Sequence, residues 1–469
     1  MNISLSIRDY TSVTKSAAIA GLPLPPGPRG LPLIGNVLDI PGEEFWEKYK
    51  ELSDQHGSDV IYLNALGTDI IVLNSIEACR ELLDKRSSIY SSRPEMTMMN
   101  DLVGFTWHFG FMPYGDKWKV RRKIFQQVFQ SSRVEDYRPK IVKGVRNFLV
   151  QLLDNPDNFR GHGRLLAGAF ILDIAYGIEV KSDSDIYIQQ AERGMAAMAA
   201  AGTSSYLVDF LPSLGMLPSW FPGAHFKREA SAWNRDVAAM PRDCLLYTDD
   251  ALKCGNARTY TTVSSFATFF LCMIQNPEIQ RKAQTAIDEA VSQLGRLPDF
   301  TEYRKLPYID ALVREVLRWR PVTPIAVPHA VIEDDVYKGY HIPAGATVLP
   351  NAYAIAHDPS VYGPNPAKFD PSRFMNASQT KINEDMPMGY ETFGYGRRIC
   401  PGIQVAVESI WLVAISVLAV FDLRPVEGAR EGFVKYSSGM LIHADPFKMR
   451  FVPRSQEAVE LIRNGVSTL

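Results

Sequence analysis

Cys400 closes a glycine-rich, doubly basic run, Phe393-Gly394-Tyr395-Gly396-Arg397-Arg398-Ile399-Cys400-Pro401-Gly402. A long apolar stretch with helical spacing, Ile403 to Phe421, follows at once. A thiol at a helix N-terminus sits in the positive end of the helix dipole, and two guanidinium groups beside it add to that field. Both favour the thiolate, the form that ligates a metal. Gly394 and Gly396 let the backbone bend tightly and let a flat, bulky group come close. The plain alternative is a glycine turn that leads an inert cysteine into a buried helix.

Other residues have spacings that could serve chemistry. In Glu315-Val316-Leu317-Arg318 a carboxylate and a guanidinium stand at i and i+3 on one helix face. Taken alone this is a surface ion pair, worth under about 1 kcal/mol. Downstream lies a further arginine, Arg373, in Phe369-Asp370-Pro371-Ser372-Arg373-Phe374. Trp118 and Arg122 stand one helical turn apart in Gly115-Asp116-Lys117-Trp118-Lys119-Val120-Arg121-Arg122, among lysines and arginines that form a cationic face. A packed tryptophan on a solvated basic helix gives the same pattern.

The elements that must position these residues are mostly helical. The chain has 469 residues, a net charge of −2 and 46% apolar residues, enough for a large core. Length alone allows about three domains. The balanced charge gives no nucleic-acid footprint. The five cysteines, Cys79, Cys244, Cys254, Cys272 and Cys400, are scattered, odd in number and without a Cys-x-x-Cys pair. That predicts reduced thiols in a cytosol-facing protein, with no disulfide framework and no structural zinc. No unbroken run is long and apolar enough for an ordinary transmembrane helix; Ser409 to Phe421 and Val263 to Ile274 read as core helices. Met1 to Ala20 is polar and reads as neither signal peptide nor anchor. Residues 21–36 are rich in proline and glycine and predict a stiff, extended segment. Val60 to Leu66 and Asp69 to Leu73 flank Gly67-Thr68 as a hairpin. A second β region spans Val336 to Leu349, and helices are predicted over Ala78 to Lys85, Gly115 to Phe129, Val134 to Leu153, Pro277 to Leu294 and Tyr308 to Arg320. The sum is a mainly α domain over residues 37–469 with a small β subdomain of early and late strands.

The pattern Phe-x-x-Gly-x-Arg-x-Cys-x-Gly resembles the haem-binding loop of the cytochrome P-450 family, with every fixed position filled. The resemblance covers nearly all of Gly21 to Pro453 and implies the fold of that family. It implies haem b, iron protoporphyrin IX, with Cys400 as axial thiolate on the iron and Phe393 and Gly402 in the loop around it. Arg398, Trp118, Arg122 and His329 fall where the family holds the haem propionates. Glu315 and Arg318 match its Glu-x-x-Arg motif and Arg373 its meander arginine, which implies a buried charge network that fixes the haem loop. The implied activity is a monooxygenase that uses O₂ and electrons from NADPH, delivered by NADPH–cytochrome P-450 reductase on the cytosolic face of the endoplasmic reticulum. Lys117, Lys119, Arg121 and Lys123 would suit an acidic electron donor. Membrane-bound members carry a proline-rich hinge after an N-terminal anchor. Residues 1–20 are therefore expected to be atypical, either in a soluble or peripheral form or through a mispredicted first exon.

Leu306 to Tyr340 most resembles fungal secondary-metabolism members, relatives of which oxidise indoles, terpenoids and polyketides. The segments that hold substrate in the family would be Met96 to Phe111, Thr261 to Ser265, Val322 to Val327 and Ser437 to Ile442. They are apolar and predict an apolar or aromatic small molecule. One stretch departs from the pattern. Where the family carries Ala/Gly-Gly-x-Asp/Glu-Thr-Thr, this chain has Ala257-Arg258-Thr259-Tyr260-Thr261-Thr262. Arg258 replaces the glycine and Tyr260 the acid, leaving Thr261 as the proton-relay candidate. Met240 to Asn256 is too short for the helices that precede this site in the family. A deletion around 241–260, a splicing error or a divergent protein would each give this pattern. The alternative function is a haem-binding pseudoenzyme or the product of a defective gene model; an isomerase or dehydratase of the same fold is a further one. A cysteine hydrolase using Cys400 lacks any Cys-His signature.

Overall fold

The computed structural model describes residues 21–467 except 41, 177, 179, 181, 183, 203–205, 248–258, 292–293 and 427–433, with residues 131, 175–176, 243–247, 259–261 and 467 described by backbone alone. Met1 to Ala20, Arg258 and most of the expected deletion around 241–260 lie outside the described residues, as do the side chains of Tyr260 and Thr261.

β1 (Val60–Ala65) and β2 (Thr68–Leu73) pair antiparallel, with Val60 opposite Leu73. The hairpin turns one residue earlier than the sequence suggests. Leu66 and Gly67 both take positive φ, 52° and 89°, the backbone of a two-residue turn whose twist matches the strands. The late β region splits into β3 (His329–Ala330), β4 (Asp335–Tyr337), β5 (Tyr340–Ile342) and β6 (Thr347–Pro350). β6 runs parallel to β2 and antiparallel to β3, so early and late strands share one sheet in the order β1-β2-β6-β3. The proline-rich segment is laid along this unit: the N–H of Tyr62 donates to Pro26 O (3.0 Å) and that of His341 to Pro23 O (2.8 Å).

The longer helices are α1 (Phe45–His56), α2 (Asp116–Phe129), α3 (Ser131–Asp154), α4 (Phe159–Tyr176), α5 (Ile186–Ala201), α6 (His225–Tyr247), α7 (Thr259–Gln275), α8 (Pro277–Val291), α9 (Pro307–Trp319), α10 (Ile403–Val420) and α11 (Gln456–Ser467). The expected helix over 78–85 is instead an α-turn, Ile76–Cys79, capped by the Ser75 hydroxyl, continued as a π-turn, Arg80–Lys85. α3, α7, α8, α9 and α10 enclose the main core. By length and composition α10 could cross a membrane, but 78% of it is buried in the fold, which makes it the central core helix. β7 (Phe421–Pro425) continues directly from α10 and pairs with β8 (Met449–Pro453).

Candidate active site

The Cys400 loop is two 3₁₀ turns, Glu391–Phe393 and Gly396–Arg398, bent back so that the Cys400 N–H donates to Phe393 O at 2.8 Å. Gly394 and Gly396 take φ of 76° and 53°. At Gly396 a Cβ would lie 2.2 Å from Leu83 O, so glycine is required for space as well as conformation. The Gly396 N–H donates to the Asp84 carboxylate at 2.5 Å, and Gly402 caps the start of α10.

Cys400, Phe393, Thr262 and Ala406 line two adjoining cavities, one of about 230 Å³ and one of about 60 Å³. The larger holds Arg93, Trp118, Arg122, His329 and Arg398 in its wall. The smaller is apolar, with Phe129, Ile141, Val145, Leu166, Phe170 and Phe266 around it. The space is thus cationic at one end, apolar at the other, and carries a thiol between. α2 builds the cationic end by period: Trp118, Arg122, Phe125 and Phe129 form its buried stripe, and Lys117, Lys119, Arg121 and Lys123 face solvent. Lys119 already pairs with Asp116 at 3.0 Å.

The three guanidinium groups bind backbone carbonyls. Arg122 donates to Ile399 O (2.6 Å); Arg398 donates to Ser91 O (2.7 Å) and Met112 O (2.7 Å); Arg93 donates to Gly110 O (2.9 Å), Val327 O (2.8 Å) and Pro328 O (2.7 Å). Among the described residues no carboxylate lines the cavity. Burial, and then the neighbouring Arg122 charge, pulls Arg398 down to about 9; burial and the Arg398 charge pull Arg93 well down too. Arg398 also stacks over Trp118 at 4.5 Å, and the indole Nε1–H of Trp118 is buried with no hydrogen-bond partner. Buried like charges and an orphaned donor around one space call for an anion. The propionates of a haem would answer both, and its flat apolar body suits the other end. The residues fit the group.

His329 sits beside them, its Nδ1 2.8 Å from Tyr90 O. Burial, then the Arg93 charge, holds the ring far below its usual pKa. A neutral ring that donates from Nδ1 leaves Nε2 as an acceptor, so it donates to a propionate only once that anion draws a proton onto it.

Glu315 and Arg318 are fully buried and joined at 2.7 and 2.8 Å, and Arg373 reaches the same carboxylate at 3.1 Å. The Asp370 N–H adds a fourth bond, and Arg318 also donates to Ala356 O. None of the three lines the cavity; they tie α9 to the segment before the loop.

All four segments expected around substrate contribute to the cavity wall, through His108 to Phe111, Thr262 and Ser265, Val322 to Val327, and Met440 with Leu441. Thr262 stands in the wall next to the expected Thr261, the side chain of which lies outside the described residues. Arg93 and Met198 of α5 were not anticipated. Arg93 lies in a loop without a motif, and Met198 in a helix of alanines and methionines that reads as core, so no sequence signal marks either.

A family model described as cytochrome P450 matches residues 25–236 and 253–451. The chain is 39% identical to cytochrome P450 monooxygenase 98 of Postia placenta, over 94% of this chain and 93% of that protein. It is 36% identical to tryptamine 4-monooxygenase of Psilocybe cyanescens, over 94% of each, and 36% identical to cytochrome P450 monooxygenase ple1 of Rhodocybe pseudopiperita, over 94% of this chain and 91% of that protein. These alignments, of 486, 484 and 485 positions, exceed the 469 residues of the chain, so the relatives carry internal residues with no counterpart here. With its thiol, its cationic slot and these matches together, the chain belongs to the cytochrome P450 family, a family of haem enzymes whose relatives of this chain are fungal monooxygenases.

Proposed function

We propose that this chain is a haem-thiolate monooxygenase that places one oxygen atom from O₂ into an apolar or aromatic small molecule of fungal secondary metabolism. Its electrons come from NADPH through NADPH–cytochrome P450 reductase, at the cytosolic face of the endoplasmic reticulum. The observation that carries the reading is the space lined together by Cys400, the buried guanidinium groups of Arg93, Arg122 and Arg398, and Trp118, whose indole N–H is buried without a partner. When bound, haem supplies the redox chemistry of dioxygen activation, and the protein supplies ligand, orientation and electrostatics. Cys400 would ligate through its sulfur, in the loop that Phe393 and Gly402 frame. Arg398, Arg122, Trp118 and His329 hold carboxylates at the cationic end. Glu315, Arg318 and Arg373 keep the supporting scaffold rigid. Met198, Val322, Val327, Met440 and Leu441 exclude water and select an apolar body. Thr261 would be the residue that holds and passes a proton.

The similar protein named tryptamine 4-monooxygenase supports an aromatic substrate. Lys117, Arg121 and Lys123, exposed on α2, suit the acidic surface of an electron donor.

The test is to load the purified full chain with hemin, reduce it and add carbon monoxide. A long-wavelength Soret band reports thiolate ligation, and its absence from a folded, haem-replete sample rejects the reading. NADPH consumption with a purified reductase, matched by product, then tests oxygenation.

A second reading, a haem-binding protein without efficient oxygenation, is favoured by Arg258 and Tyr260 in place of the family's glycine and acid. The stretch 237–252, left between the two matched pieces, favours it too. It predicts the same Soret band with NADPH consumption uncoupled from product.

A further inference from the structure

We propose that Glu391 is a positioning residue for the Cys400 loop, one that ties the loop through Tyr362 to the Glu315–Arg318–Arg373 cluster. The proposal rests on the haem-thiolate reading above and adds to it a residue that no motif marks.

Glu391 opens the first turn of the loop. Its carbonyl accepts the Gly394 N–H at 3.2 Å, and two residues on, Phe393 O accepts the Cys400 N–H at 2.8 Å. Displacement of Glu391 therefore reaches Cys400 through two backbone hydrogen bonds. Its side chain points away from the cavity into the scaffold. There Oε1 accepts from the Tyr362 hydroxyl at 3.1 Å. Tyr362 belongs to the charge cluster on both its sides. Its carbonyl takes an N–H of Arg373, and its ring lies 5.4 Å from the Arg318 guanidinium. Arg318 itself is committed to Glu315 and Ala356 O, so it leaves Tyr362 as the link to Glu391.

The other oxygen, Oε2, is buried without a hydrogen-bond partner. The carboxyl has no ion-pair partner among the described residues. A carboxylate buried this way would pay a large desolvation penalty, and an uncharged carboxyl pays much less. The surroundings agree. Burial raises the Glu391 pKa against the lowering pull of its own backbone N–H, then of Tyr362, Arg80 and Arg318. Around it stand Cys79 from the 76–79 turn and Tyr395 of the loop, both pushed far up by burial, and Tyr362, pushed up likewise. Asp84 flanks Cys79 from the π-turn and Glu315 flanks Tyr362 from α9, and each adds negative charge that disfavours a further anion.

The experiment uses the hemin-loaded full chain and three variants, Glu391→Gln, Glu391→Ala and Tyr362→Phe. The readout is the rate at which the thiolate Soret band of the ferrous carbon monoxide adduct converts to the shorter-wavelength form. The expected result is wild-type behaviour for Glu391→Gln, which keeps an acceptor for the Tyr362 hydroxyl, and conversion several-fold faster for the other two at unchanged far-ultraviolet dichroism. A Tyr362→Phe band as durable as wild type overturns the proposal, as does a Glu391→Gln band that decays as fast as any loss of the side chain. If Glu391→Ala does not fold, those two comparisons decide. A wild type without a thiolate band rejects the functional reading itself, and this proposal with it.

Discussion

Arg122 reaches from α2 to the carbonyl oxygen of Ile399, 2.6 Å away and one residue before Cys400. One side chain thus joins the helix that supplies the cationic end of the slot to the loop that supplies the thiol. Arg122→Leu removes a charge-assisted bond worth about 1.5–3 kcal/mol. Hemin titration followed by quenching of tryptophan fluorescence should show affinity about ten- to a hundredfold weaker. Arg122→Lys should recover only part of the loss, because an ammonium lacks the planar fork.

The two nearby thiols should differ completely. Cys400→Ser is expected to abolish the thiolate band and most haem retention. Cys79 is fully buried behind the loop, its pKa pushed far up by burial, and Cys79→Ser should keep both. Equal haem content in the two variants would remove Cys400 from its assigned place.

The charge cluster should behave as a unit. Glu315→Gln or Arg318→Met leaves a buried charge without its partner and should cost about 3–5 kcal/mol. Urea unfolding of the haem-free chain checks this as a lower midpoint at unchanged slope. The triple variant Glu315→Leu, Arg318→Met, Arg373→Met, which removes every charge of the cluster, should cost less than Glu315→Leu alone.

Asp209 accepts the Met98 N–H at 2.8 Å and clasps the 207–210 turn to the segment that enters the cavity wall. Burial raises its pKa to about 6, which the nearby Asp101 charge reinforces. The folded chain therefore holds this proton more tightly than the unfolded chain. Stability contributed here is full below about pH 4 and is lost as the pH rises through about 6, by up to about 3 kcal/mol. Asp209→Asn should flatten that part of the stability profile, measured by thermal unfolding across the same range.

Much of this was legible in the residues. The buried stripe of α2 follows from its period, and the hairpin from one glycine between two β-rich runs, although the turn falls at Leu66-Gly67, one residue before Gly67-Thr68. Glu315 and Arg318 were readable as a pair only through the motif around them, since the same spacing on a surface helix looks identical. The parallel pairing of β2 with β6 was not readable as a register, because short strands far apart in sequence carry no local signal of their partner. Arg93 and Glu391 stayed hidden for a related reason. Their meaning lies in burial and in what surrounds them, and neither is written within a few residues of the side chain. Ala78 to Lys85 reads as an ordinary helix, and the π-turn arises where Leu83 O must pass close under Gly396.

The pairing of β2 with β6 joins residues about 277 positions apart, Ile70 to Thr347, and the cavity wall draws on residues from Arg93 to Leu441. A growing polypeptide cannot close that wall until nearly all of it has left the ribosome. Capture of the prosthetic group is therefore a late event in the life of each molecule, and a chain cut short before Met440 would emerge with its thiol but without a finished chamber to receive anything.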